Sequence, residues 1–143
     1  MDAKREVQKL VTRMHADLFR MTRGKIGGHF GKAENVLLTT TGRKSGKSRV
    51  TPLTATIDGD RVVLVASNGG AQAHPDWYLN LVASSSVTVQ RGAISTPMRA
   101  RVADAEERTA LWVKVTSTYK GYSGYQAKTQ REIPIVVCER VGI

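Results

Sequence analysis

At 143 residues the chain is one domain's worth, with room for a short N-terminal appendage. Its 22 Lys and Arg against 12 Asp and Glu give a net charge of +10, which calls for an anionic partner. No apolar run reaches the roughly 18 residues of a membrane span. The start Asp2-Ala3-Lys4-Arg5 is not that of a secretory signal. The lone Cys138 cannot pair internally, so a reducing, cytoplasmic setting is expected.

The excess charge is uneven. Residues 1–32 carry a net +5, residues 33–56 a net +3, and the rest of the chain only +2. In chain order, Val7, Leu10, Val11, Met14, Leu18 and Met21 fall at helical spacing. Residues 1–23 therefore read as a basic amphipathic helix, either packed on the domain or resting peripherally on an anionic membrane. Residues 24–143 form the domain proper. Gly24, Gly27, Gly28 and Gly31 make 23–34 a loop.

Short β-prone runs follow. Strands are expected at 36–41, 48–57 and 61–67, the last two joined by an Asp58-Gly59 turn. Pro75 suits the first position of a short helix through about Val82. A hairpin at 87–90 and 94–102 turns on Arg91-Gly92. Asp104 and Glu107 form a capping box for a helix through about Tyr119. The apolar run Ile133–Cys138 is a last, buried strand. The class is α+β, mainly β: a barrel of about six mostly antiparallel strands, the N-terminal helix and two further helices.

The run Gly42-Arg43-Lys44-Ser45-Gly46-Lys47-Ser48 is not a P-loop. Thr41 stands where the Walker pattern needs glycine, and Pro52 forbids the helix that must follow. It remains a Gly-bounded turn with cations at Arg43, Lys44, Lys47 and Arg49, either an anion nest or a solvated hairpin. It holds no aromatic residue for base stacking, which argues against nucleic acid. No Gly-x-Gly occurs, so the Rossmann fingerprint is absent. His15, His29 and His74 lack a second ligand at metal spacing, so no metal is expected.

Two further clusters stand out. Tyr119, Tyr122 and Tyr125 recur every third residue around Gly121 and Gly124. They form either a mobile aromatic segment over a planar ligand, with a phenol as proton donor, or an anchor to the core. Ala66-Ser67-Asn68-Gly69-Gly70, followed by His74-Pro75-Asp76-Trp77-Tyr78, offers hydroxyl, amide and backbone N–H donors at a strand end. Such a set suits a phosphate or the carbonyl edge of a heterocycle, or is an ordinary strand-to-helix connection.

Taken together, Leu37–Gly46, Arg49–Leu53, Ala66–Gly70, Pro75–Leu81 and Ile133–Glu139 resemble the deazaflavin-dependent nitroreductase family of mycobacteria and relatives. The resemblance implies a split β-barrel that binds coenzyme F420, a deazaflavin with a phosphate and polyglutamate tail. By position, Arg43, Lys44, Ser45 and Arg49 would hold the tail. Val50, Thr51, Pro52, Leu53 and Thr54 would line the ring, with Val65, Ala66, Ser67 and Asn68, and with Asp76, Trp77, Tyr78, Leu79 and Asn80. Ser67 would bond near the ring, and Tyr119, Tyr122 and Tyr125 would face the substrate. The implied reaction passes a hydride from reduced F420 to an α,β-unsaturated lactone or ester, a quinone or a nitro-aromatic. Thr54 stands where the nitroimidazole-activating member has tyrosine, so pocket shape toward nitro compounds differs. Rival readings are an FMN-binding split-barrel oxidoreductase and a non-catalytic F420-storage protein. The assembly expected is a monomer or homodimer.

Overall fold

A computed structural model describes residues 32–141; the expected N-terminal helix lies outside them. Six strands form: β1 (Lys32–Thr41), β2 (Ser48–Asp58), β3 (Arg61–Val65), β4 (Ser86–Arg91), β5 (Ile94–Val102) and β6 (Ile135–Arg140). They close into a barrel in the order β1-β2-β3-β6-β5-β4, every ladder antiparallel. Closure is partial along β2, which meets β3 only over Thr56–Asp58, so its Ser48–Ala55 stretch pairs with β1 alone. The expected fold class is the observed one.

The pleat explains which residues are apolar. Alternate positions on all six strands (Val36, Leu38, Ala55, Val62, Leu64, Val87, Val89, Met98, Ala100, Val136 and Cys138) meet in one buried interior cluster. Trp77 and Leu81 join them from a short helix, α1 (Asp76–Ala83). The intervening residues Val63, Val65, Ile135 and Val137 belong to a second cluster with Leu111, Val115 and Tyr122. Strands β3 and β6 are thus covered on both faces, so they read as continuous apolar runs without alternation.

Helices α2 (Ala105–Thr118) and α3 (Gly121–Lys128) supply that outer cover. Leu111 and Val115, four residues apart, form the buried stripe of α2. Asp104 caps α2 by accepting the Glu107 N–H at 2.8 Å. The Glu107 carboxylate does not complete the box. It accepts instead from Arg101, at 2.9 Å to one oxygen, and from Arg61.

Several sequence expectations need correction. β1 begins at Lys32, inside the expected loop, because residues 32–35 pair with 54–57 of β2. Pro75 caps α1 from outside, with extended backbone at ψ 152°, instead of occupying its first turn. The glycine-rich tyrosine segment is the helix α3, so three α-helices, not two, stand among the described residues, besides a 3-10 turn at Asn68–Gly70. Gly121 and Gly124 oppose a helix by intrinsic propensity, and tertiary contacts override them. Tyr122 is buried against the barrel, and the Gln126 amide accepts from Ile133 N at 2.9 Å and donates to Arg131 O at 2.8 Å. No helix among the described residues is long and apolar enough to cross a membrane.

Candidate functional site

The basic turn connects β1 to β2. Gly42 N donates to Lys47 O at 2.7 Å and Gly46 N to Gly42 O at 2.8 Å, closing residues 42–47 into a compact loop. Gly46 sits at φ +72°, a conformation that disfavours any side chain. Ser45 Oγ accepts from Lys47 N at 3.2 Å, so this hydroxyl helps shape the turn. Lys44, Lys47 and Arg49 are exposed and have no carboxylate partner among the described residues. The amides of Lys44 and Ser45 likewise find no acceptor there.

Arg43 behaves differently from its neighbours. Its backbone N–H donates to Asn80 Oδ1 at 3.1 Å and its guanidinium to the same oxygen at 2.9 Å. A second guanidinium nitrogen reaches Asp76 Oδ1 at 3.2 Å. Asn80 is buried and completes its set by donating to Thr40 Oγ1 at 3.4 Å. Asp76 and Asn80 lie one turn apart on α1, so Arg43 pins the basic turn to that helix.

At the other end of the chain's β3 strand, Asn68, Gly69 and Gly70 have φ of +47°, +64° and +84° in succession. Gly70 N donates to Ser67 O at 2.8 Å and Ala71 N to Asn68 O at 3.1 Å, leaving Ser67, Asn68 and Gly69 N–H without acceptors among the described residues. A side chain on Gly70 would meet Tyr125 O at 2.9 Å, so this turn packs directly on α3.

Arg131 braces the same turn from behind. It donates to Ala71 O at 2.8 Å, to Ser67 O at 2.9 Å and to Ala66 O at 3.3 Å, and contacts His74 Nδ1 at 3.0 Å. A guanidinium has no acceptor, so Nδ1 must accept and the ring proton lies on Nε2. Burial and the adjacent guanidinium push His74 below its ordinary value, which keeps it neutral.

The structure brings Tyr119, Tyr122 and Tyr125 together. Their ring centroids are 4.8–6.4 Å apart. Tyr119 and Tyr125 hydroxyls are 3.0 Å apart, and the bond to Tyr125, with some burial, raises Tyr119 above the usual phenol value. Tyr122 is buried, donates to Thr54 O at 3.4 Å and is pushed up to about 12 by desolvation. Thr54 Oγ1 in turn donates to Asn35 Oδ1 at 2.9 Å.

Strand β2 joins these parts. Arg49 leaves the basic turn and Thr54 meets the tyrosines, roughly 16 Å on at ~3.3 Å per residue. Val50, Pro52 and Thr54 share one face of the strand, whereas Thr51 and half-buried Leu53 share the other, which faces the interior. The side chains of Val65, Ala66 and Trp77 are buried in the core. Tyr78 and Leu79 are half-buried, and Asp76 is exposed. Sequence reading missed Arg131, Gln126 and Asn35. Their partners are mainly backbone carbonyls or lie far off in the chain, and leave no local motif.

Residues 11–140 match the family model described as F420H(2)-dependent quinone reductase. An F420H(2)-dependent quinone reductase of Mycobacterium tuberculosis is 36% identical over 141 residues, covering 96% of this chain and 95% of that protein. A solved F420-H2 dependent reductase (FDR-A) is 42% identical at a TM-score of 0.69, covering 73% of this chain and 93% of that one. A further solved relative, described as a domain-swapped dimer, is 34% identical at a TM-score of 0.69, covering 94% and 99%. The chain belongs to the F420H(2)-dependent quinone reductase family, a family of oxidoreductases that use coenzyme F420.

Proposed function

We propose that this protein reduces quinone-type acceptors at the expense of reduced F420, along the face of β2 between the basic turn and the tyrosines. One observation carries the reading. Exposed cations without carboxylate partners among the described residues stand at one end of the strand, and a hydrogen-bonded phenol pair lies by its other end. Lys44, Lys47 and Arg49 suit a polyanionic tail, whose attraction they raise by long-range steering. The N–H groups of Ser67 and Asn68, with the Ser67 hydroxyl, suit the carbonyl edge of a flat heterocycle.

When bound, reduced F420 supplies the hydride, the hard chemistry of the reaction. Val50, Pro52 and Thr54 offer the ring a flat, mostly apolar wall. Tyr119 and Tyr125 hold a proton at their paired hydroxyls, where an acceptor oxygen can take it. A hydride and one proton convert a quinone to the two-electron-reduced hydroquinone level. The donated proton returns to the phenol from solvent, and the exposure of Tyr119 permits this. Tyr122, buried and bonded to Thr54, keeps the pair in place and does not face the acceptor. Lactones and nitro-aromatics are alternative electron-poor acceptors; the relatives' names favour quinones.

Fluorescence titration with F420 and, separately, FMN at two salt concentrations tests the cofactor. Salt-sensitive binding of F420 alone, followed by quinone turnover with its reduced form, is the expected result. Binding of FMN instead would favour the flavin reading, and F420 binding without turnover would favour a storage protein.

A further inference from the structure

Among the described residues Arg131 is unusual: a half-buried guanidinium whose side chain has no carboxylate partner. Its donors go to the carbonyls of Ala66, Ser67 and Ala71 and to a neutral imidazole. None of these neutralises its charge. The other buried or half-buried arginines of known geometry are offset: Arg61 by Asp58 and Glu107, Arg108 by Glu132.

The carbonyls it holds belong to particular peptide units. The Ala66 carbonyl shares its peptide with Ser67 N–H, and the Ser67 carbonyl shares its peptide with Asn68 N–H. A cation bonded to the oxygen end of a peptide withdraws electron density and strengthens the N–H at the other end as a donor. Those two N–H groups have no acceptor among the described residues. The right-handed Ser67 (φ −75°, ψ −35°) followed by left-handed Asn68 (φ +47°) sets their direction, and Gly70 is locked against α3. A cation behind two preset donors is the arrangement that stabilises an oxygen gaining negative charge.

We propose that Arg131 is a positioning residue that polarises the Ser67 and Asn68 amides toward a ring oxygen of F420 that becomes more negative on reduction. This rests on the reading that the ring lies by the Ser67 turn. Arg131 touches no reacting atom; it acts through two peptide groups. His74 serves it by accepting one of its donors while staying neutral, so it does not compete for charge.

The test compares dissociation constants for oxidised and reduced F420 in the native protein, Arg131→Lys and Arg131→Met, with Lys44→Ala as control. In Arg131→Met the preference for reduced over oxidised cofactor should fall about tenfold, the order expected for one nearby unit charge in partly buried surroundings. Arg131→Lys keeps the charge but loses the fork, and should fall several-fold while remaining folded. Lys44→Ala should weaken both forms alike. A purely structural brace would lower the melting temperature and leave the preference untouched. If Arg131→Met does not fold, Arg131→Lys alone decides. A native preference in that variant would overturn the proposal while leaving the cofactor reading intact. Native protein that binds neither form would overturn both.

Discussion

The hydroxyls of Tyr119 and Tyr125 lie 3.0 Å apart, six residues apart in sequence, although helix α3 begins between them. One phenol donates to the other, so one hydroxyl hydrogen of the pair remains for a third group. Gly121 makes this possible. A side chain there would come within 2.5 Å of the Tyr119 ring and push it from the pair.

Tyr119→Phe and Tyr125→Phe should each lower turnover by about 10²-fold, within the usual range for a lost general acid, with little change in cofactor affinity. Tyr122→Phe should lower stability by about 1 kcal/mol, as for one modest hydrogen bond, and spare most of the turnover. Steady-state kinetics and urea denaturation separate the two classes. Equal turnover in the Tyr119 and Tyr125 variants and in the native protein would remove the pair from proton transfer.

Lys44→Ala and Lys47→Ala should weaken F420 binding at low salt, and the deficit should shrink as salt rises toward the regime of strong screening. Titration across a salt series measures this. A deficit independent of salt would mean that the lysines act by shaping the turn and not by charge.

Asn80→Ala should cost roughly 1–3 kcal/mol, because the partly buried Arg43 groups lose their shared acceptor. Cofactor affinity should fall as well, since the basic turn would lose its anchor on α1. Denaturation and titration of the same variant would show whether both losses occur together.

Alkaline pH should unfold the protein earlier than its composition suggests. Burial raises Cys138 from 9.0 to about 12 and Tyr122 from 10.0 to about 12. Both groups keep their protons in the fold after the unfolded chain has released them. Their stabilisation is therefore complete below about pH 9 and declines as pH rises toward 12, by roughly 1.4 kcal/mol per unit for each titrating group. Cys138→Ala should delay the onset to about pH 10, where Tyr122 takes over. An unchanged onset in a pH-dependent denaturation series would show that Cys138 is not the group responsible.

The barrel was legible because its strands obey a two-residue period and its turns carry residues with a physical reason to be there. The two-residue turn after Asp58 places Gly59 at φ +62°, and the β4–β5 turn places Gly92 at φ +58°. The doubly covered run at β6 was readable as a buried strand from its unbroken apolarity, whereas β3 was read only as a strand. Helix α3 was not, since its two glycines signal a loop and only the packing of Tyr122 and Gln126 opposes that signal. Arg131 was invisible for another reason. Its partners lie 57–65 residues away in the chain and most are backbone carbonyls, which any sequence supplies. The basic turn was recognised as a charge cluster, but charge alone did not separate Arg43, held by α1, from the three cations beside it.

That separation has a consequence for redesign. Through Arg43 and Asn80 the basic turn and α1 form one mechanical unit, while Lys44, Lys47 and Arg49 ride on its surface. If the turn holds the cofactor tail as proposed, exchanging the three surface positions should retune grip on tails of different length or charge without disturbing the frame. A change at Arg43 or Asn80 would instead let the basic turn drift relative to α1, and on the proposed reading grip and alignment would be lost together.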